Sequence, residues 1–275
     1  MSPASHEPLV IAHRGASASL PEHTLAAYQL ALNQGADGLE CDVRLTRDGH
    51  LVCVHDRRLD RTSNGRGLVS ESSLDELDQL DFASWHPELP DSADDLIFDR
   101  PEPGESRPIM DERGKVLTLD RLISAVGEAG RPLRLLVETK HPSRYGSDVE
   151  RALLRVLRQH GALDGDSPVK VTAMSFSPWA VRNLRSLAPN LPTVFLMEYL
   201  PPGVGWLPFG ARIAGPGINL VRSRPGLVER LRARGYGVYV WTVNEPADID
   251  LVLDLGVQAI ITDRPADVIA HRDKR

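Results

Sequence analysis

The stretch GLECDVRLTRDGHLVCVHD, residues 38 to 56, sets Glu40 and Asp42 two residues apart in an apolar run. That is the spacing that aims two side chains at the same face of a strand. Two carboxylates there repel each other and lose hydration, and a bound cation relieves both costs. The stretch ends on His55, while His13 and Arg14 follow the apolar run LVIA, and Glu138 and Lys140 end the run RLLVETK. Glu40, Asp42 and Glu138 make an all-oxygen donor set, which suits Mg²⁺ or Ca²⁺ better than zinc. His13 and His55 suit general acid and base, one imidazole taking a proton while the other gives one. Arg14 and Lys140 add positive charge without adding metal ligands, and a metal with two cations is what a developing phosphoryl charge calls for.

These residues are far apart in the chain, so the fold has to bring them together. Hydrophobic periodicity predicts strands at 9–12, 38–43, 134–139, 169–176, 193–197, 213–220, 237–244 and 259–263. Helices are predicted between them at 24–34, 118–126, 147–160, 178–188, 225–234 and 246–255, with a short one at the end. LVCVHD stands apart, because Asp48-Gly49 is a hairpin turn signal and a tight hairpin joins only antiparallel neighbours. That turn returns His55 to the level of Asp42. Eight parallel strands with helices between them predict an α/β fold, a (β/α)8 TIM barrel with its site at the C-terminal strand ends. Residues 1–275 read as one domain with an insertion at about 57–115. The insertion is rich in Asp, Pro, Gly and Ser, as a small lid or a partly disordered segment would be.

Composition narrows the function. Thirty-two basic against 38 acidic residues give a net charge of −6, with no basic block to track a nucleic-acid backbone. No run reaches the ~20 apolar residues of a membrane helix, and the N-terminus leaves no room for a signal peptide. A soluble, cytoplasmic protein without stable membrane association is expected, and two cysteines, Cys41 and Cys53, suit a reducing compartment. Both alternate with the acids and should face the helix layer. The oligomeric state is not legible.

The blocks HRGASASLPEHT, ECDVRLTRDGHLVCVHD, LLVETKHP, VWTVN and IITDRP resemble, in order across residues 10 to 265, the glycerophosphodiester phosphodiesterase family. The resemblance implies a TIM barrel that hydrolyses glycerophosphodiesters, such as glycerophosphocholine or glycerophosphoethanolamine, to sn-glycerol 3-phosphate and an alcohol with a divalent metal. It makes Glu40, Asp42 and Glu138 metal ligands, His13 and His55 acid and base, and Arg14 and Lys140 phosphate contacts. Glu22 matches a family acid near the metal and the glycerol pocket, and Trp241 an aromatic residue of the substrate cleft. One departure stands at His23, where the family usually carries Asn.

Plainer readings stand beside these. Glu40 and Asp42 alone would do as strand-end partners of Arg14 or Lys140, Trp241 as barrel filling, and Asn244 and Asp263 as helix caps, so neither of the last two is assigned catalysis. Two other functions compete: a phospholipase-like barrel acting on intact lipid, and a noncatalytic glycerophosphodiester binder. The first calls for an exposed apolar rim, against which the polar insertion argues. The second has no need of two histidines and three ligands.

Overall fold

A computed structural model describes residues 7–83, 114–164, 167–200, 207–224 and 226–275. The barrel strands are β1 (Leu9–His13), β2 (Gly38–Leu45), β4 (Leu133–Thr139), β5 (Val169–Ser175), β6 (Thr193–Met197), β7 (Ile213–Pro216), β8 (Gly237–Val240) and β9 (Ala259–Thr262). They pair in parallel in that order, and β9 returns to β1, closing the ring. The remaining strand, β3 (Leu51–Cys53), pairs antiparallel with the outer part of β2 and stays outside the ring. Gly49, at φ 88°, supplies the left-handed residue of that hairpin, as the Asp-Gly pair predicts. Val54 N–H then donates to the Asp42 carbonyl at 3.2 Å, which sets His55 at the barrel mouth.

The helices are α1 (Leu25–Asn33), α2 (Leu74–Leu77), α3 (Leu119–Gly127), α4 (Asp148–Gln159), α5 (Pro178–Leu187), α6 (Ile218–Ser223), α7 (Gly226–Ala233), α8 (Pro246–Asp254) and α9 (Pro265–Arg272). Hydroxyl caps start several of them: Thr24, Thr118 and Ser177 accept from the amides of Ala27, Arg121 and Ala180. None among the described residues is long and apolar enough to cross a membrane.

Two apolar clusters fill the space between helices and sheet, and Cys41 and Cys53 lie buried in the first, facing the helix layer as their alternation with the acids requires. A third cluster fills the barrel itself: Ile11, Leu136, Met174, Val194, Leu196, Tyr239, Ala259 and Ile261. Register puts His13 beside Glu40 and Asp42 beside Glu138. The polar residues therefore stand on an apolar floor, which makes their charges expensive.

Two expectations are corrected. The run 213–220 is a strand only to Pro216, after which Ile218, Leu220 and Val221 are buried in α6. A short apolar run does not reveal by periodicity whether it is strand or helix. Likewise the strand predicted at 237–244 ends at Val240. Trp241 keeps one isolated bridge to Gly217, its N–H donating to the Pro216 carbonyl, and after it Val243 N–H bonds the Ile261 carbonyl instead. In the insertion, Leu59, Val69, Leu77 and Phe82 pack with Val52, Val54 and Val116 into a core of their own, so residues 57–83 are ordered. The acidic stretch from Asp91 to Asp99 lies outside the described residues.

Candidate active site

Why the chain places HRG after β1 follows from its backbone. Arg14 and Gly15 both have positive φ, 56° and 89°, and a Cβ on Gly15 would lie 2.7 Å from the Ala27 backbone. Only glycine fits at that point. The turn lets Arg14 N–H donate to the Glu40 carbonyl (3.1 Å) and carboxylate (3.2 Å), which fixes β1 against β2 at the mouth.

Glu40, Asp42 and Glu138 are buried, and one carboxylate oxygen from each lies within 4.8 Å of the others. Burial, then the charge of Asp42, pushes the Glu40 carboxyl well above its ordinary range. Burial raises Glu138 to about 7, with Lys140 partly compensating and the charge of Asp42 adding to the rise. Burial also opposes the charge on Asp42, but Lys140 and Arg14 outweigh it and hold that carboxyl well below the usual range. Lys140 Nζ lies 3.1 Å from Glu138 Oε1 and 3.5 Å from Asp42 Oδ1, and Arg14 Nε 3.1 Å from Asp42 Oδ2. Three acids thus share two cations. A hard divalent ion fits this donor set, since it would ionise the two acids that burial and repulsion now push toward protonation.

Each catalytic candidate histidine is held by a carboxylate. His13 Nδ1 lies 2.7 Å from Asp263 Oδ1, and His55 Nδ1 2.8 Å from Asp56 Oδ1. Burial would raise Asp263, but His13 and hydrogen bonds from His13, Asn244 and Ser17 hold it well below the carboxylate range. Asp56 is lowered against its burial by His55 and Arg61. Ionised carboxylates only accept, so both Nδ1 atoms carry the proton and both Nε2 atoms are left for chemistry. Burial, with Arg14 and Lys140 nearby, lowers His55 to about 4, so it is neutral at pH 7 and able to take a proton. His13, Arg14, Glu40, His55, Glu138, Lys140 and Trp241 line one cavity of about 400 Å³.

Glu22 is placed behind this cavity. It receives Arg14 (3.2 Å) and a two-point contact from Arg61 (2.7 Å each), and Arg61 also grips Asp56 through two nitrogens. His23 Nε2 lies 3.1 Å from Asp42 Oδ2 and its Nδ1 2.8 Å from the Tyr28 hydroxyl. Burial lowers the His23 pKa, so a neutral ring donates to Asp42 from Nε2. The departure at position 23 therefore keeps a polar side chain on the acid triad.

Four residues here escape a sequence reading. Asp263 and Asn244 are not caps: α8 and α9 are capped at Glu245 and Arg264, without side-chain bonds. Asn244 instead donates to Asp263 Oδ2 at 2.6 Å and accepts from Thr262 and from Asp263 N–H, both at 3.0 Å. The available signal was barrel closure, since β9 pairs with β1 and both His13 and Asp263 lie at that seam. Asp56 could have been found as the neighbour of His55. Arg61 carries no local signal. Replacing Arg61 by Ala should leave two buried carboxylates undercompensated, Glu22 with Arg14 alone and Asp56 with His55 alone. Thermal or urea unfolding should then show a loss of about 3–5 kcal/mol, whereas an unchanged midpoint would mean the insertion does not brace the site.

The chain is similar to known proteins in both sequence and fold. Residues 13–267 match the model of the glycerophosphoryl diester phosphodiesterase family. The chain is 48% identical over 263 residues to the Mycobacterium tuberculosis protein named probable glycerophosphodiester phosphodiesterase 1, covering 94% of this chain and 90% of that one. It is 33% identical over 264 residues to the Bacillus subtilis glycerophosphodiester phosphodiesterase, covering 94% and 84%. Among solved structures, an Oleispira antarctica phosphodiesterase in complex with the product sn-glycerol-3-phosphate superposes with a TM-score of 0.77 at 26% identity, covering 97% of each chain.

Proposed function

Since this chain belongs to the glycerophosphoryl diester phosphodiesterase family, we propose that it hydrolyses glycerophosphodiesters such as glycerophosphocholine and glycerophosphoethanolamine to sn-glycerol 3-phosphate and an alcohol. The observation that carries the reading is one cavity lined by two carboxylate-held histidines and by Glu40 and Glu138 of the acid triad. Glu40, Asp42 and Glu138 would hold Mg²⁺ or Ca²⁺, which supplies positive charge for the nonbridging phosphate oxygens. Arg14 and Lys140 bind the same phosphate from the sides. His55, neutral, takes the proton of the attacking hydroxyl at Nε2, and His13 delivers one to the leaving alcohol from Nε2. The attacking group is either the glycerol C2 hydroxyl, giving a cyclic phosphate that water then opens with the roles reversed, or water itself. A substrate lacking the C2 hydroxyl separates the two.

The acid–base pair and the metal set together favour this over binding without chemistry. Arg61 reaches from the insertion to Glu22, which supports reading 1–275 as one domain with its insertion at about 57–115. The buried, unpaired cysteines support a reducing, cytoplasmic setting. Release of sn-glycerol 3-phosphate from glycerophosphocholine, assayed with Mg²⁺ or Ca²⁺, is expected and should cease in excess chelator. Full release in chelator would count against the metal.

A further inference from the structure

The cavity has a second wall that the proton transfers do not use. Phe176, just after β5, and Glu198, just after β6, line it together with Trp241. The Phe176 ring, 38% exposed, meets Trp241 edge to face, with centroids 5.3 Å apart and planes at 87°. Trp241 is fixed, because its Nε1–H donates to the Gly215 carbonyl at 2.7 Å. Gly217 packs beside it, where a Cβ would lie 3.4 Å from the ring. Lys140 Nζ lies 6.0 Å from the Phe176 centroid, so that ring already has one cation near it. Glu198 is exposed to the cavity, and among the described residues no cation pairs with it.

Two aromatic rings at a right angle, one of them anchored, with a carboxylate lining the same cavity, are the groups that recognise an alkylated or primary ammonium. Of the rest of the polar lining, Arg14, Glu40, Glu138 and Lys140 are committed to the phosphate and its metal, with Lys140 at the border beside Phe176. We infer that Phe176, Trp241 and Glu198 form a subsite for a cationic head group on the leaving alcohol, so that the chain selects ammonium-bearing glycerophosphodiesters over neutral ones. This rests on the phosphodiesterase reading above. The rings give the cation its polarisable contact, and Glu198 gives it a counter-charge that a neutral head group does not use.

The discriminating pair is glycerophosphocholine and its 3,3-dimethylbutyl ester, in which carbon replaces the quaternary nitrogen and the shape is kept. Wild-type kcat/KM should favour the choline ester on the order of tenfold. Glu198→Gln, and separately Phe176→Leu, should shrink that ratio toward one. Turnover of both esters at equal kcat/KM by the wild type, or an unchanged ratio in both variants, would overturn the subsite and leave the phosphodiesterase reading intact. Turnover of neither ester would instead overturn that reading. In that event calorimetric titration with choline decides the subsite: binding weakened by Glu198→Gln supports it, and no binding by the wild type refutes it.

Discussion

Glu40→Gln is expected to lower metal-dependent turnover by about 10²-fold or more while leaving the metal-free protein as stable as the wild type, or more so. Without an ion, Glu40 is a buried acid beside an ionised Asp42, pushed toward protonation by burial first and by that charge second. A neutral amide of the same shape removes the repulsion and none of the packing. With the ion the order reverses. A ligand held by the folded state alone stabilises it by about 2.7 kcal/mol at a hundred times its Kd, so Mg²⁺ or Ca²⁺ should raise the wild-type melting temperature and barely move the variant's. The pH dependence follows from Glu138. Its folded pKa, raised to about 7, means that an ion must displace a proton below that pH. The metal-induced rise should therefore shrink as pH falls below about 7 and level off above it. A variant that binds the ion as the wild type does would remove Glu40 from the ligand set, and one that unfolds in chelator would make its carboxylate structural.

The sequence carried the Glu40 and Asp42 pair because its logic is local. Glu40 and Asp42 share a strand face by simple alternation, and the Asp48-Gly49 turn states in five residues how His55 comes back. The barrel followed from repeated strand and helix periods. What escaped was whatever depends on closure or on a long reach. Asp263 meets His13 only because β9 pairs with β1, a contact across 250 residues. Arg61 meets Glu22 across 39 residues, from a segment that does not follow the barrel repeat. Glu22 reads as a lone acid in PEHT, and its burial between two arginines is visible only in three dimensions. The same limit explains the two shortened strands: Ile218 to Val221 and Trp241 to Asn244 are apolar enough for a strand, and their partners decide otherwise.

Asp263 leads to the second large effect. His13→Ala should cost about 10²–10⁴ in kcat, the usual worth of a positioned acid or base, and Asp263→Asn should approach it although residue 263 need not touch substrate. The reason is donor counting. In the wild type, Asp263 Oδ1 accepts from His13 and Ser17, and Oδ2 from Asn244. An amide has one acceptor oxygen. Asn244 is locked with its own oxygen on Thr262 and the 263 amide, so only its N–H₂ faces residue 263. The new oxygen must turn to Asn244, which leaves the new N–H₂ facing His13. A donor there forces Nδ1 to accept, so the single ring proton sits on Nε2 and the second proton, which the acid form of His13 carries on Nδ1, has no acceptor. The variant should keep its KM and most of its stability, lose kcat, and show the changed tautomer in the ¹⁵N shifts of His13. Loss of kcat with the tautomer unchanged would mean that Asp263 acts by charge alone, and full activity would mean that His13 needs no partner.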